Sequence, residues 1–446
     1  MKRIQLLFLC IMLTTFSACK KNELSDVKPV TLSLKIALDE SVINYNFSPA
    51  NTEIKLTNLI NGQVNKLKTD DKGMLNIASL SPGDYDIEAT LVISANDYST
   101  ITGDLQTEDV TFSGLLKGQS IVKATNDLIL KINTGRIGDW VFKQIYYAGS
   151  HTSNGALFRD VFFEIYNNSN ELMYADSLYF SQAFGLNTKT TSLDASLTYL
   201  RPNKQYDWSK SIGNNVNRAN EDYIYAKTMY MIPGTGKSYP VKPGESLIIA
   251  ATAINHKAPY TNLEGIAVTV KDPSLTVDLS KADFEVYLGN EPGINPLATD
   301  IDNPAVPNLK VISRGGDRDL ILQPTGRDAY VIFKTNEDIN NFAKIPTPEE
   351  KEINITTNLY IRVPSKYILD AVETQPPVVT NQFPKKLESS LDATFTFVKD
   401  GQYSSQSLIR KTAKIVNGRR ILKDTNSSSN DFETLDRPDV TKTVFK

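Results

Sequence analysis

Cysteine and histidine are almost missing from this chain: 446 residues hold two of each. Cys10 and Cys19 both lie near the amino terminus, so no disulfide framework can staple the rest. His151 and His256 are far apart in sequence, which rules out a paired-histidine metal site of the H-E-x-x-H type. A Ser-His-Asp triad would have to use one of these two, and no G-x-S-x-G elbow accompanies them. No apolar run is long enough for a membrane-spanning helix. A net charge of −3 lacks the basic excess that nucleic acid demands of a partner, and no repeat of solenoid period is present.

What is present begins with a leader. Residues 1–18 combine a basic start at Lys2 and Arg3, an apolar stretch from Ile4 to Leu13 and small residues before a cysteine, the layout of a signal peptide. Phe16-Ser17-Ala18-Cys19 resembles a lipobox, with Phe16 where leucine is usual, and this implies cleavage before Cys19 and acylation of that residue. Each buried CH₂ of an acyl chain contributes about 0.8 kcal/mol, enough for three chains to hold a protein on a membrane. The expected place is the outer membrane. Exposure at the cell surface is favoured, although Lys20 and Lys21 stand where acidic export signals are usual. Polar residues 19–29 read as a tether.

A hydrophobic content of 40% provides enough apolar material for folded cores, and the length predicts two or three domains of roughly 100 to 200 residues each. Strict alternation in Val30–Leu38, followed by the EIKLTNLI run and turns at Asp70-Asp71-Lys72-Gly73 and Ser81-Pro82-Gly83-Asp84, predicts a first β domain over 30–134. Gly73, Ile77, Leu80, Pro82, Gly83 and Tyr85 follow a signature similar to that of prealbumin-like, carboxypeptidase-regulatory-type sandwiches. The resemblance implies a spacer module.

Residues 135–446 read as a second, larger all-β domain organised around Trp140–Ser181. In that stretch Val161, Phe163 and Ile165 alternate with Phe162, Glu164 and Tyr166, which predicts a strand with one buried and one amphipathic outer face. Later strands read as additions to that pair. The VFFEIYNNSN run with its D-S-L turn, the Val241–Lys257 stretch with its Pro-Gly turn, and the GQYSSQSLIRK and LKDTNSSSNDF runs resemble a lamin-tail-like, immunoglobulin-like domain of uncharacterised Bacteroidetes-type lipoproteins. The expected architecture is thus a prealbumin-like β-sandwich followed by a lamin-tail-like β-sandwich with long loop insertions. Residues 185–219, rich in Asn, Ser, Thr and Lys, form the main insertion.

Candidate site residues are few. Tyr206 and Trp208 in the insertion, with Tyr223 and Tyr225 on the following strand, are flat rings of the kind a sugar or peptide platform uses, and equally what a core face looks like. Asp300, Asp302 and Asn303 space oxygen ligands as Ca²⁺ accepts them, without the glycine and distal glutamate of an EF-hand loop. No other cofactor is expected. Gly234-Thr235-Gly236-Lys237-Ser238 looks like the end of a phosphate loop but reads as a hairpin turn. The expected function is non-enzymatic: a lipid-anchored envelope protein that binds a ligand or, as the resemblance implies, serves a TonB-dependent outer-membrane β-barrel receptor. An adhesive or structural surface protein and a carboxylate-based glycan hydrolase are the alternatives.

Overall fold

The computed structural model describes residues 28–38, 45–103, 109–134, 139–194, 196–416 and 418–446. The leader, Cys19 and most of the tether lie outside the described residues. The chain is almost entirely β.

Seven strands build the first domain: β1 Val30–Leu38, β2 Glu53–Asn58, β3 Val64–Lys68, β4 Met74–Leu80, β5 Gly83–Ile93, β6 Val110–Ile121 and β7 Thr125–Thr134. The alternation of β1 puts Val30, Leu32, Leu34 and Ile36 inside. β1 runs parallel to β7 and antiparallel to β4, while β5 lies between β2 and β6. Leu34, Leu56, Ile87, Phe112 and Leu130 meet in one core. Gly73 turns the chain at φ +71°, where a Cβ would lie 2.5 Å from Pro49 Cγ, so only glycine fits.

The second domain is two stacked sheets. In the first, β17 (Phe284–Glu285), β14 (Ser246–Ala250), β9 (Phe162–Asn167), β8 (Trp140–Tyr146), β23 (Ser407–Arg410) and β26 (Phe432–Leu435) lie in that order. The second follows the order β20 (Lys344–Ile345), β21 (Tyr360–Pro364), β12 (Tyr223–Met231), β11 (Tyr179–Ala183), β19 (Ala329–Phe333) and β22 (Ile368–Glu373), with β18 (Lys310–Arg314) also on β12. The strands after β9 are therefore shared between two sheets rather than all added to the β8–β9 pair. Their inner faces meet at Phe163 and Phe180, whose rings stack with centroids 3.9 Å apart, among Trp140, Phe142, Ile249, Tyr330 and Val372.

The outer faces depart from the expected amphipathic pattern. Every residue of β8 and β9 is buried. Phe162, Tyr146 and Ile248 are covered by Val277, Leu279, Ala282 and Val306 from the 253–306 excursion, and Tyr166 by Leu422 and Phe445. Across the molecule, Ile339, Phe342 and Leu387 cover the outer face of the other sheet. The apolar outer positions Phe162 and Tyr166 needed cover, and loops distant in sequence supply it.

The two domains touch through side chains. Lys117 Nζ, in an ion pair with Asp86, donates to Gln382 Oε1 at 3.1 Å, and all three residues are buried. Ser429 Oγ donates to Glu88 at 3.3 Å and Asn430 Nδ2 to Thr90 Oγ1 at 3.4 Å. Ser429 and Asn430 belong to the helical turn Ser428–Asp431.

Candidate functional site

The insertion aromatics form a nest, not a platform. Trp208 stacks on Tyr225 with centroids 3.7 Å apart, and Tyr206 meets Trp208 edge-on at 5.6 Å. Tyr206 and Trp208 are each 4% exposed and Tyr225 is 2% exposed. Tyr225 Oη donates to Ala219 O at 2.9 Å and accepts from Asn214, and burial pushes its phenol up to about 12. Tyr206 donates to Glu349, and burial followed by that carboxylate holds its phenol far above the usual range. Tyr223 alone is half-buried, with the Arg362 guanidinium over its ring at 5.0 Å. The platform expectation is thus corrected for Tyr206, Trp208 and Tyr225: residues 185–219 close over β12 and β21 because their rings would otherwise stand in water.

The residues named for calcium are engaged with the protein itself. Asp300 accepts from Leu288 N at 3.1 Å, Asp302 accepts from Asn308 Nδ2 at 2.7 Å, and Asn303 donates to Ala253 O and Ser280 O. Each of the three side chains has protein partners of its own. Among the described residues no group of three or more His, Cys, Asp or Glu is placed to hold a metal ion. Their work is to pin the 253–306 excursion, together with Glu285, which accepts from Asn303 N at 2.7 Å and Ala253 N at 2.8 Å. Burial pushes both Glu285 and Asp300 up to about 7.

The phosphate-loop look-alike is a turn whose donors are taken. Asp176, just after the short strand Met173–Tyr174, accepts from Gly236 N, Ser238 N and Tyr239 N, each at 2.9 Å. Burial acts to raise its carboxyl, but these donors outweigh it and pull the group down to about 2. His151 is exposed and caps its own turn through Nδ1. His256 is 1% exposed and bonded to Thr252 O, and burial pushes its imidazole down to about 4.

A groove of about 390 Å³ opens where the domains meet, lined by Lys55, Lys66, Lys68, Glu53 and Glu88 from the first domain and Asn430 from the second. Ile54 and Leu67 border it as well, Ile54 with its side chain turned into the first domain's core. Reading the sequence missed this groove and the seam beside it, because both arise from segments hundreds of residues apart.

Residues 242–439 match the family model described as a protein of unknown function (DUF4876). A crystal structure of a DUF4876 family protein from Bacteroides thetaiotaomicron is similar over 91% of this chain and 95% of that one, with 23% identity and a TM-score of 0.52. That likeness is one of fold, and it extends over both domains. A DUF3823 family protein from Parabacteroides merdae aligns over 35% of this chain and 67% of its own at 9% identity and a TM-score of 0.15. A candidate carbohydrate binding protein from Bacteroides uniformis aligns over 50% and 99% at 10% identity and a TM-score of 0.16. Neither score carries an argument. No curated protein matches the chain.

Proposed function

We propose that this chain is a lipid-anchored protein of the outer membrane, held through Cys19, whose prealbumin-like first domain lifts a lamin-tail-like second domain. It binds rather than catalyses, and its partner is an outer-membrane β-barrel receptor or that receptor's ligand. The observation that carries this reading is the seam. Lys117, Glu88 and Thr90 join the first domain to the second by side-chain hydrogen bonds, and a charged groove runs along the junction. A spacer that only lifted its neighbour would need no such joint, whereas a rigid two-domain arm presenting one continuous surface does. The leader sequence supports the anchor, and the structural use of His256 and Asp176 supports binding over catalysis.

The test is a detergent pull-down from membranes of cells expressing the tagged full chain, compared with Cys19→Ala and with a groove variant, Lys55→Glu/Lys66→Glu. Co-purification of a β-barrel with the wild type, and its loss with the groove variant, is the expected result. Recovery of no barrel, or a soluble wild type that partitions like Cys19→Ala, overturns the reading.

A further inference from the structure

Arg410 sits at the base of the domain seam among three carboxyls. Its Nη2 bonds to Asp370, and its Nη1 lies 3.4 Å from Asp424 and 3.7 Å from Asp431. All four side chains are at most 3% exposed. The remaining donors are committed, with Nε on Phe142 O at 2.7 Å and Nη1 also on Lys423 O at 3.0 Å. One positive charge cannot balance three ionised carboxyls in so dry a place, because like charges within a few ångströms disfavour one another's ionisation. Burial pushes Asp370 up to about 7 and Asp431 up to about 6, with Arg410 acting in the other direction.

The cluster is wired to the seam. Asp431 accepts from Thr425 N at 2.8 Å and Thr425 Oγ1 at 2.7 Å, and it closes the helical turn that carries Ser429 and Asn430. Those two residues make the hydrogen bonds to Glu88 and Thr90. We propose that this cluster is a pH switch for the contact between the two domains, which is tight while Asp370 and Asp431 keep their protons and loosens as they lose them. Ionisation of Asp370 and Asp431 beside Asp424 crowds negative charge under the 424–431 segment and pushes that segment, with Ser429 and Asn430, away from β5.

The neighbouring charges do not cancel this effect. Lys411, just after β23, spends its Nζ on Asn430 O at 2.7 Å and faces both Asp431 and Glu433. Glu433 on β26 has Lys446 at 3.8 Å, and Lys423 faces Lys411. Asp392, beneath Ser428, faces Lys385, which is paired with Glu373. Glu88 across the seam is paired with Lys55 at 2.7 Å. β8 contributes the backbone N–H and C=O of Phe142 at this point.

Native-state hydrogen exchange on the full chain tests the switch. Between about pH 5.5 and 8, opening of the 425–431 turn and of its contact on β5 should increase by about tenfold or more, the effect of one pKa unit of differential protonation. Asp431→Asn and Asp424→Asn should each flatten that dependence. Equal opening at both pH values in the wild type, or the same slope in the wild type and both variants, overturns the proposal. Should neither variant fold, carbon-13 titration of the wild-type carboxyls decides. Midpoints above about 5 for Asp370 and Asp431 uphold the switch, and lower ones sink it.

Discussion

Lys143 Nζ lies 3.0 Å from Glu164 Oε1, and both side chains are 1% exposed on the very face of the β8–β9 pair whose alternation points to solvent. Lys143 also donates to Lys442 O at 2.7 Å and stands 4.0 Å above the Phe445 ring, while Glu164 takes the Ser246 hydroxyl. The carboxy-terminal segment therefore lies over a buried ion pair.

Breaking that pair on one side leaves an unpaired charge in the interior. Glu164→Ala should cost about 3–5 kcal/mol, and adding Lys143→Met should recover much of the loss. Urea unfolding of the two variants measures this, and equal losses for single and double variants would show that the outer face is wet.

The nest over β12 predicts a contrast between two apolar side chains. Trp208→Ala should cost about 3–5 kcal/mol, as truncation of a packed aromatic does. Ile355→Ser, at a fully exposed position, should change stability by no more than about 0.5 kcal/mol. A Trp208→Ala protein as stable as the wild type would return the insertion to the role of an exposed platform.

Glu285 sets a pH dependence. Its carboxyl is held at about 7, above the ordinary 4.5, so ionisation is disfavoured in the folded chain. Its contribution to stability is full below about 4.5 and is lost as pH rises through about 7. The stability of wild type relative to Glu285→Gln should thus fall from pH 4 to about pH 8 in thermal unfolding. A wild type that gains stability relative to Glu285→Gln over that range would reverse the assignment.

Asp176 has the opposite sign. Held at about 2, it contributes stability above the ordinary 3.8, and that contribution is lost as pH falls through about 2. At neutral pH Asp176→Ala strips three backbone donors of their acceptor and should cost about 1–3 kcal/mol. Chemical unfolding near neutrality and in strong acid checks both the size and the fading of the effect.

Much of the strand layout was legible in the residues. The alternation of Val30–Leu38, the turn at Gly73 and the apolar runs around Phe142 and Phe163 all became strands or turns where expected. The tail after Lys423 was less legible. It reads as loop, yet it supplies the helical turn Ser428–Asp431 and the edge strand β26, whose partner Ser407–Arg410 lies upstream.

Periodicity of two residues separates the faces of a strand, and by itself it settled the all-β class and which side chains share a face. It carries no information about what lies against each face. Phe162, Glu164 and Tyr166 face outward from the sandwich core, and only the folding back of 253–306 and of the carboxy terminus decided that they are interior. The same holds for the candidate sites: Trp208 became core, Asp300 a pin and Arg410 the centre of a buried cluster, because burial and charge balance depend on neighbours that the chain brings together only when folded.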